Sequence, residues 1–435
     1  MKWFVGAGLI LLFALIFQLE LLAYAMYALL AVMVVSRWLT HSWIQNLQAT
    51  RTCDQSDAEI GDTVTVSLQV KNQGALPVAW VLLEDLLPQR ALLGNPPGLA
   101  VSGERLRLAM LGGGATRLLY YRLTCNRRGY YQIGPLVLET GDLFGLHRRW
   151  QVETKPQYLL VYPKVIAMEG FDLASKRPIG EVQMTYRLFE DPTRIAGVRE
   201  YQPGDPLNRV NWNATARTGM LHSKVYEPST VAGVTLLVEF HRQAHSAAHE
   251  PVRSELAITA AASIANAMYE MNQQIGLVTN GRDAADRIRE EGHDAEIRSR
   301  KSAHTTSTMR DTSDRLQPVV VAAQRGPEQL NRILESLARL ELTDGLNLGQ
   351  LVAETTSRMP RDATIVAILP KVTMGTAVTL GALKKRGFAV TAILNVYEMQ
   401  EFAEASGPLL AEGIDTLHLR DEAAIVQLCR KLVLR

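Results

Sequence analysis

The chain has 435 residues, 47% of them hydrophobic and 21% charged, a globular balance that excludes a wholly disordered protein. Such a length provides for two or three domains, each with its own core. The 46 Lys+Arg against 44 Asp+Glu leave a net charge of +2, which supplies no broad field for nucleic acid, and no local basic stripe replaces it.

From Trp3 to Val35 the chain is almost wholly apolar, interrupted by Gln18 and Glu20. A single helix of that length would measure about 50 Å, against a hydrocarbon core of roughly 30 Å. Splitting it at Gln18–Glu20 predicts a transmembrane helical hairpin within residues 1–47, with spans of about 3–19 and 21–38. Lys2 and Trp3 then share a membrane face with Arg37, Trp38, His41 and Trp43, and the positive-inside rule puts that face in the cytoplasm. No small-residue cleavage site follows the first apolar run, so a cleavable signal peptide fits poorly. The expected location is the inner (cytoplasmic) membrane, multi-pass, with the soluble domains facing the cytoplasm.

Residues 48–165 predict an all-β sandwich. Glu59–Val70 alternates after a Gly-Asp turn, and 78–83, 117–122, 130–133 and 158–162 are further short strands between Gly, Pro and Asn clusters. Residues 166–230 form a connector. Residues 231–435 predict an α/β doubly wound parallel sheet. Its strands are 234–239, 274–279, 364–369, 388–394 and 416–419, and its helices 253–271, 327–340, 347–357, 375–386 and 421–433. Residues 281–315 interrupt it with eight Lys/Arg and eight Asp/Glu, a composition that predicts a partly disordered insertion. Three cysteines, Cys53, Cys125 and Cys429, are too few and too scattered for a disulfide framework.

The connector carries the most specific run, Val198-Arg-Glu-Tyr-Gln-Pro-Gly-Asp-Pro-Leu-Asn-Arg-Val-Asn-Trp-Asn-Ala-Thr-Ala-Arg-Thr-Gly219. It resembles the signature of the "domain of unknown function 58" family, whose members carry Arg-Glu-Tyr-x-x-Gly-Asp, Arg-x-Ile-x-Trp and Thr-Ala-Arg in that order. Arg128–Pro135 and Gly141-Asp-Leu-Phe-Gly-Leu146 are similar to that family's approach to the signature. The resemblance implies two N-terminal membrane helices, a β-domain and a C-terminal domain similar to the von Willebrand factor A fold. It also implies partnership with MoxR-type AAA+ ATPases, and it brings no established catalytic activity. On these positions the signature residues are Arg199, Glu200, Tyr201, Gly204, Asp205, Arg209, Asn211, Trp212, Thr215, Ala216 and Arg217. Pro203–Pro206 is turn chemistry. Trp212 is expected as a buried anchor, and Arg199, Glu200, Asp205, Arg209 and Arg217 as a charge-assisted network at the domain junction.

A metal-binding domain of the von Willebrand type presents Asp-x-Ser-x-Ser after its first strand. Here that stretch reads Val238-Glu-Phe-His-Arg-Gln243, and Pro370-Lys371 follows a later strand where an Asp would stand, so the site is expected to be degenerate and to hold no metal. His241, His245 and His249 recur every four residues, but no carboxylate or Cys at matching spacing completes a zinc site, and exposed loop histidines are expected. There is no Walker A motif, nucleophile elbow or dinucleotide fingerprint. The expected function is a membrane-anchored, non-enzymatic interaction or assembly factor without a cofactor. Its expected partners are a MoxR-type AAA+ ATPase, other proteins of a membrane-associated complex, and the lipid bilayer, with no nucleic acid. Two other classes stand beside this reading: a hydrolase-type enzyme using Glu200 and Asp205, and a metal-dependent adhesion-type binder.

Overall fold

The computed structural model describes residues 2–145, 147–167, 190–202, 210–228, 233–291, 317–360 and 363–433. They fall into two units, one of Met1–Pro163, Asp283–Thr312 and Ala338–Leu340, the other of Lys164–Arg282, Ser313–Leu337 and Glu341–Arg435.

The first unit opens with two apolar helices, α1 (Lys2–Ile16) and α2 (Glu20–Gln45), which pack against each other. Gln18 in the turn between them takes a positive φ of 53°. The first helix is 15 residues, about 22 Å at 1.5 Å per residue, shorter than the span expected over 3–19. The second, of 26 residues, is the one helix among the described residues long and apolar enough to cross a membrane.

Strands β1 (Leu47–Cys53), β3 (Thr63–Asn72), β7 (Thr116–Cys125) and β5 (Leu99–Gly103) form one antiparallel sheet in the order β1-β3-β7-β5. A second has the order β10-β9-β4-β6, from β4 (Val78–Asp85), β6 (Leu106–Leu111), β9 (Leu136–Gly141) and β10 (Arg148–Val152). A third joins β2 (Asp57–Ala58), β11 (Gln157–Val161) and β8 (Gly129–Ile133), and a short helix α3 (Gln89–Leu93) follows β4. Strand β3 alternates buried Val64, Val66, Leu68 and Val70 with outward polar residues, the period of a strand with one wet face. Those residues share a core with Val81, Leu83 and Leu138 of the second sheet.

That core begins before residue 48, because Trp43 and Ile44 at the end of α2 and Leu47 of β1 belong to it. Inside the same unit lies a buried ion pair. The Arg51 guanidinium bonds both carboxylate oxygens of Asp85, and Tyr121 Oη donates to Asp85 Oδ2 at 2.6 Å. Arg51 Nη1 also donates to the carbonyls of Ile133 and Lys155, at 3.0 and 3.1 Å. Gly134, with φ +86°, leaves room for the guanidinium where any Cβ would collide with it.

In the second unit β12 (Glu190–Glu200) pairs antiparallel with β13 (His222–Pro228), and α4 (Trp212–Thr218) lies between them in sequence. A six-stranded sheet follows, built from β14 (Gly233–Val238), β15 (Gln274–Thr279), β16 (Val319–Gln324), β17 (Thr364–Leu369), β18 (Ala389–Leu394) and β19 (Asp415–His418). Its order is β16-β15-β14-β17-β18-β19, with β16 antiparallel to β15 and every other pair parallel. The six residues of β14 are all buried, as in a strand covered on both faces. Helices α5 (Val252–Glu270), α7 (Pro327–Arg339), α8 (Leu348–Thr355), α9 (Met374–Lys385), α10 (Met399–Ala411) and α11 (Glu422–Val433) alternate with the strands.

Three findings depart from the sequence pattern. The edge strand β16 and the helix α10 were not expected, and α10 runs through Pro408. In the insertion 281–315, Ala284–Glu291 forms a helix, α6, where charge predicted partial disorder. The insertion's residues 292–315 lie outside the described residues.

Candidate functional site

The chain enters the six-stranded sheet at β14, builds outward through β15 and β16, then returns to lay β17 on the other side of β14. Where strand order reverses in this way, the loops leaving the carboxyl ends of the two central strands diverge and leave a crevice. One of about 670 Å³ lies at that edge, and its lining includes His245, Arg253, Lys371, Asn395, Tyr397 and Glu401. The size suits a small ligand or an inserted side chain.

Glu239, the first residue past β14, is 7% exposed, and its Oε2 has no hydrogen-bond partner. Burial pushes its carboxyl up to about 7, while His245 pulls the other way. The neighbouring Phe240 N–H donates to Asn280 Oδ1 at 2.7 Å, and Asn280 Nδ2 donates to the Leu346 carbonyl, which pins the loop. His245 is buried between the Glu239 carbonyl, 3.1 Å from Nε2, and Glu250 Oε1, 2.9 Å from Nδ1. Burial would raise the Glu250 carboxyl, but the bonds from His245 and Ser254 outweigh it and hold the group below the usual range. These partners draw His245 into the interior, which corrects the expectation of exposure for that residue, whereas His249 is exposed as expected. The stretch folds as two 3-10 turns, Arg242–Ala244 and Ala247–His249, so the four-residue spacing never stacks three imidazoles. Among the described residues no group of three or more His, Cys, Asp or Glu is placed to hold a metal.

Arg253, in the first turn of α5, is 5% exposed. Its Nη1 donates to Asn395 Oδ1 at 3.1 Å and to the Arg420 carbonyl at 2.9 Å, and Asn395 Nδ2 returns a bond to the Arg253 carbonyl. The Tyr397 ring covers the guanidinium, 3.2 Å from Cζ to the ring centroid, a cation–π stack. Nε and Nη2 have no partner. Lys371 is exposed at the rim, and Glu401 and Glu404 also line the crevice, so it presents charges of both signs around the Tyr397 ring.

The signature residues gather on the β12–β13 ladder and α4. Arg199 and Glu200 close β12, exposed, opposite Ser223 and His222. Tyr201 N–H donates to the Leu221 carbonyl at 2.9 Å. Asn211 caps α4 by accepting from the Ala214 N–H, and Thr215 Oγ1 accepts from the His222 N–H. Gly219, at φ +75°, ends the helix in the left-handed conformation that glycine adopts without strain. Ala216 and Arg217 are exposed. Trp212 is 66% exposed, not the buried anchor expected of it, because α4 is seven residues long and buries no side chain. Gly204, Asp205 and Arg209, and with them the expected charge network, lie outside the described residues.

Residues 197–302, which begin on this ladder and run past β15, match the model of a family described as "Protein of unknown function DUF58". The resemblance to the DUF58 family is thus carried by residues 197–302. A relative, "Uncharacterized protein YeaD" of Bacillus subtilis (strain 168), is 24% identical over 258 residues, 59% of this chain and 62% of that protein. The chain thus matches about three fifths of that relative's length. Among solved structures, the CARDB domain of the PF1109 protein from Pyrococcus furiosus is 12% identical, covering 26% of this chain and 91% of that one at a TM-score of 0.19. Proximal thread matrix protein 1 from the mussel byssus is 11% identical, covering 47% of this chain and 46% of that one at a TM-score of 0.28. Likenesses so low carry no argument about this chain.

The crevice residues Arg253, Asn395 and Tyr397 had no signal in the sequence. Arg253 and Asn395 are 142 residues apart, and only the parallel placement of β14, β17 and β18 brings their loops together.

Proposed function

We propose that this protein is a membrane-anchored, non-enzymatic interaction factor that docks a protein partner at the carboxyl edge of a von Willebrand factor A-like sheet. The observation that carries this reading is the crevice itself: it lies at the strand-order reversal, and it is lined by Arg253, Lys371 and Tyr397. The exposed Lys371 at its rim suits an acidic side chain of a partner without an intervening divalent cation, and Glu401 and Glu404 in the same lining suit a basic one. The partner in this reading is a MoxR-type AAA+ ATPase acting on a membrane-associated complex. The anchor is a two-span hairpin of α1 and α2, with the soluble parts in the cytoplasm. The length of α2 and the placing of Arg37 and Trp38 near its end support that orientation.

The test is affinity capture of the full chain from detergent extract, with and without ATP, for the parent and for Lys371→Glu and Tyr397→Ala. The expected result is ATP-dependent recovery of an AAA+ ATPase with the parent and at least tenfold less with either variant. Equal recovery with all three proteins would overturn the crevice as the docking site. A reporter active only in the cytoplasm, fused after Arg435, tests the orientation and should be active.

A further inference from the structure

The hairpin of β9 and β10 runs alongside α2. At its base, the Ala49 N–H, just past the end of that helix, donates to Glu153 Oε2 at 3.2 Å. At its tip, Ser36 Oγ of α2 donates to Asp142 Oδ2 at 2.6 Å and lies 3.4 Å from His147 Nδ1. The His147 N–H donates to Asp142 Oδ1 at 2.9 Å, which closes the tip on itself. Ser36 precedes the helix end at Gln45 by nine residues, about 13 Å of rise, so the hairpin points back along α2 toward its apolar stretch. Leu143 and Phe144 follow Asp142 at the turn and are 76% and 69% exposed. Two residues extend at most about 7 Å, which places these side chains at the level of Val32–Val35 or just short of it. Those valines are themselves exposed on α2, as lipid-facing residues of a span would be in the absence of lipid. Trp38, Arg37 and Arg148 are exposed around the same level, an aromatic and basic collar of the kind found at headgroups.

We propose that Leu143 and Phe144 insert into the lipid interface beside α2, with Arg37 and Arg148 against anionic headgroups, so that the β-rich unit grips the bilayer at a second point. An exposed Leu-Phe pair in a tight turn costs hydration in water and recovers it at the acyl boundary. The tether through Ser36 and Asp142 fixes its depth. This rests on the reading of α2 as a membrane span.

The test uses the full chain reconstituted in phosphatidylethanolamine/phosphatidylglycerol vesicles. An environment-sensitive fluorophore is placed at Phe144→Cys and, in a second variant, at Leu143→Cys, and the signal of the labelled parent is subtracted. Glu104→Cys, in the exposed β5–β6 turn, is the water reference, and Leu29→Cys on α2 is the lipid reference. Both tip labels should shift to the blue and be quenched by doxyl-labelled lipid at least threefold more than the Glu104 label. Tip labels as unquenched as Glu104, with Leu29 quenched, would overturn the proposal and leave the span standing. An unquenched Leu29 would remove the span and the proposal together.

Discussion

Glu239 holds its proton to about pH 7 because ionising it means placing a charge in the interior with one oxygen unpartnered. An unfolded glutamate ionises near 4.5, so between about 4.5 and 7 the folded chain binds the extra proton. Stability contributed by this group is therefore full below 4.5 and falls as pH rises toward 7, by at most about 3 kcal/mol. Glu239→Gln should flatten that fall. Thermal melts at pH 5 and pH 8 check it, and a parent that melts higher at pH 8 with the variant unchanged would contradict the assignment. Burial raises the Asp85 carboxyl as well, but here a partner is already in place. Asp85→Ala leaves the Arg51 guanidinium buried without its counter-charge and should cost about 3–5 kcal/mol. Tyr121→Phe removes a single bond to a carboxylate that Arg51 still satisfies and should cost about 1–2 kcal/mol. Hydrogen exchange at the amides of β3 and β7 separates the two, with much the larger loss of protection in the aspartate variant.

Elements were legible where one physical signal dominated. Strand β17 coincides with the apolar run at 364–369, since a strand buried on both faces needs no alternation to be recognised. Strand β16 escaped because it is a half-buried edge that pairs antiparallel after a charge-rich stretch. Helix α10 escaped because Gly407-Pro408 reads as a break, yet its polar, largely exposed face tolerates the lost hydrogen bond. The most consequential misreading was at residue 48, where composition changes but packing does not. A fragment starting at residue 48 lacks Trp43, Ile44 and Leu47, each worth about 2 kcal/mol of burial to the β core. A fragment starting at residue 36 keeps all three. The longer one should remain folded and monodisperse, and the shorter should aggregate or melt at least 10 °C lower by differential scanning fluorimetry. Equal melting temperatures would mean that the core closes without α2.

At the scale of the whole molecule, the described residues offer a cation little. Glu239 faces inward, His245 is engaged on both ring nitrogens, and Lys371 stands at the rim of the crevice. Excess Mg²⁺ or chelator should leave the melting temperature of the detergent-solubilised chain unchanged, since only a ligand bound by the native state raises it. A rise specific to Zn²⁺ and lost in His245→Ala would show a metal held at the histidines after all. The joint between α2 and the β core has a mechanical meaning as well. Thr40, Trp43 and Ile44 are buried along the last turns of the helix, and no free linker separates it from β1. The helix can neither spin about its axis nor bend away from the sheets without opening the core. A helix meets a thinner or thicker bilayer by tilting. For α2 as the span proposed above, such a tilt would swing the β-rich unit as a stiff lever, turning membrane thickness into an angular displacement outside it.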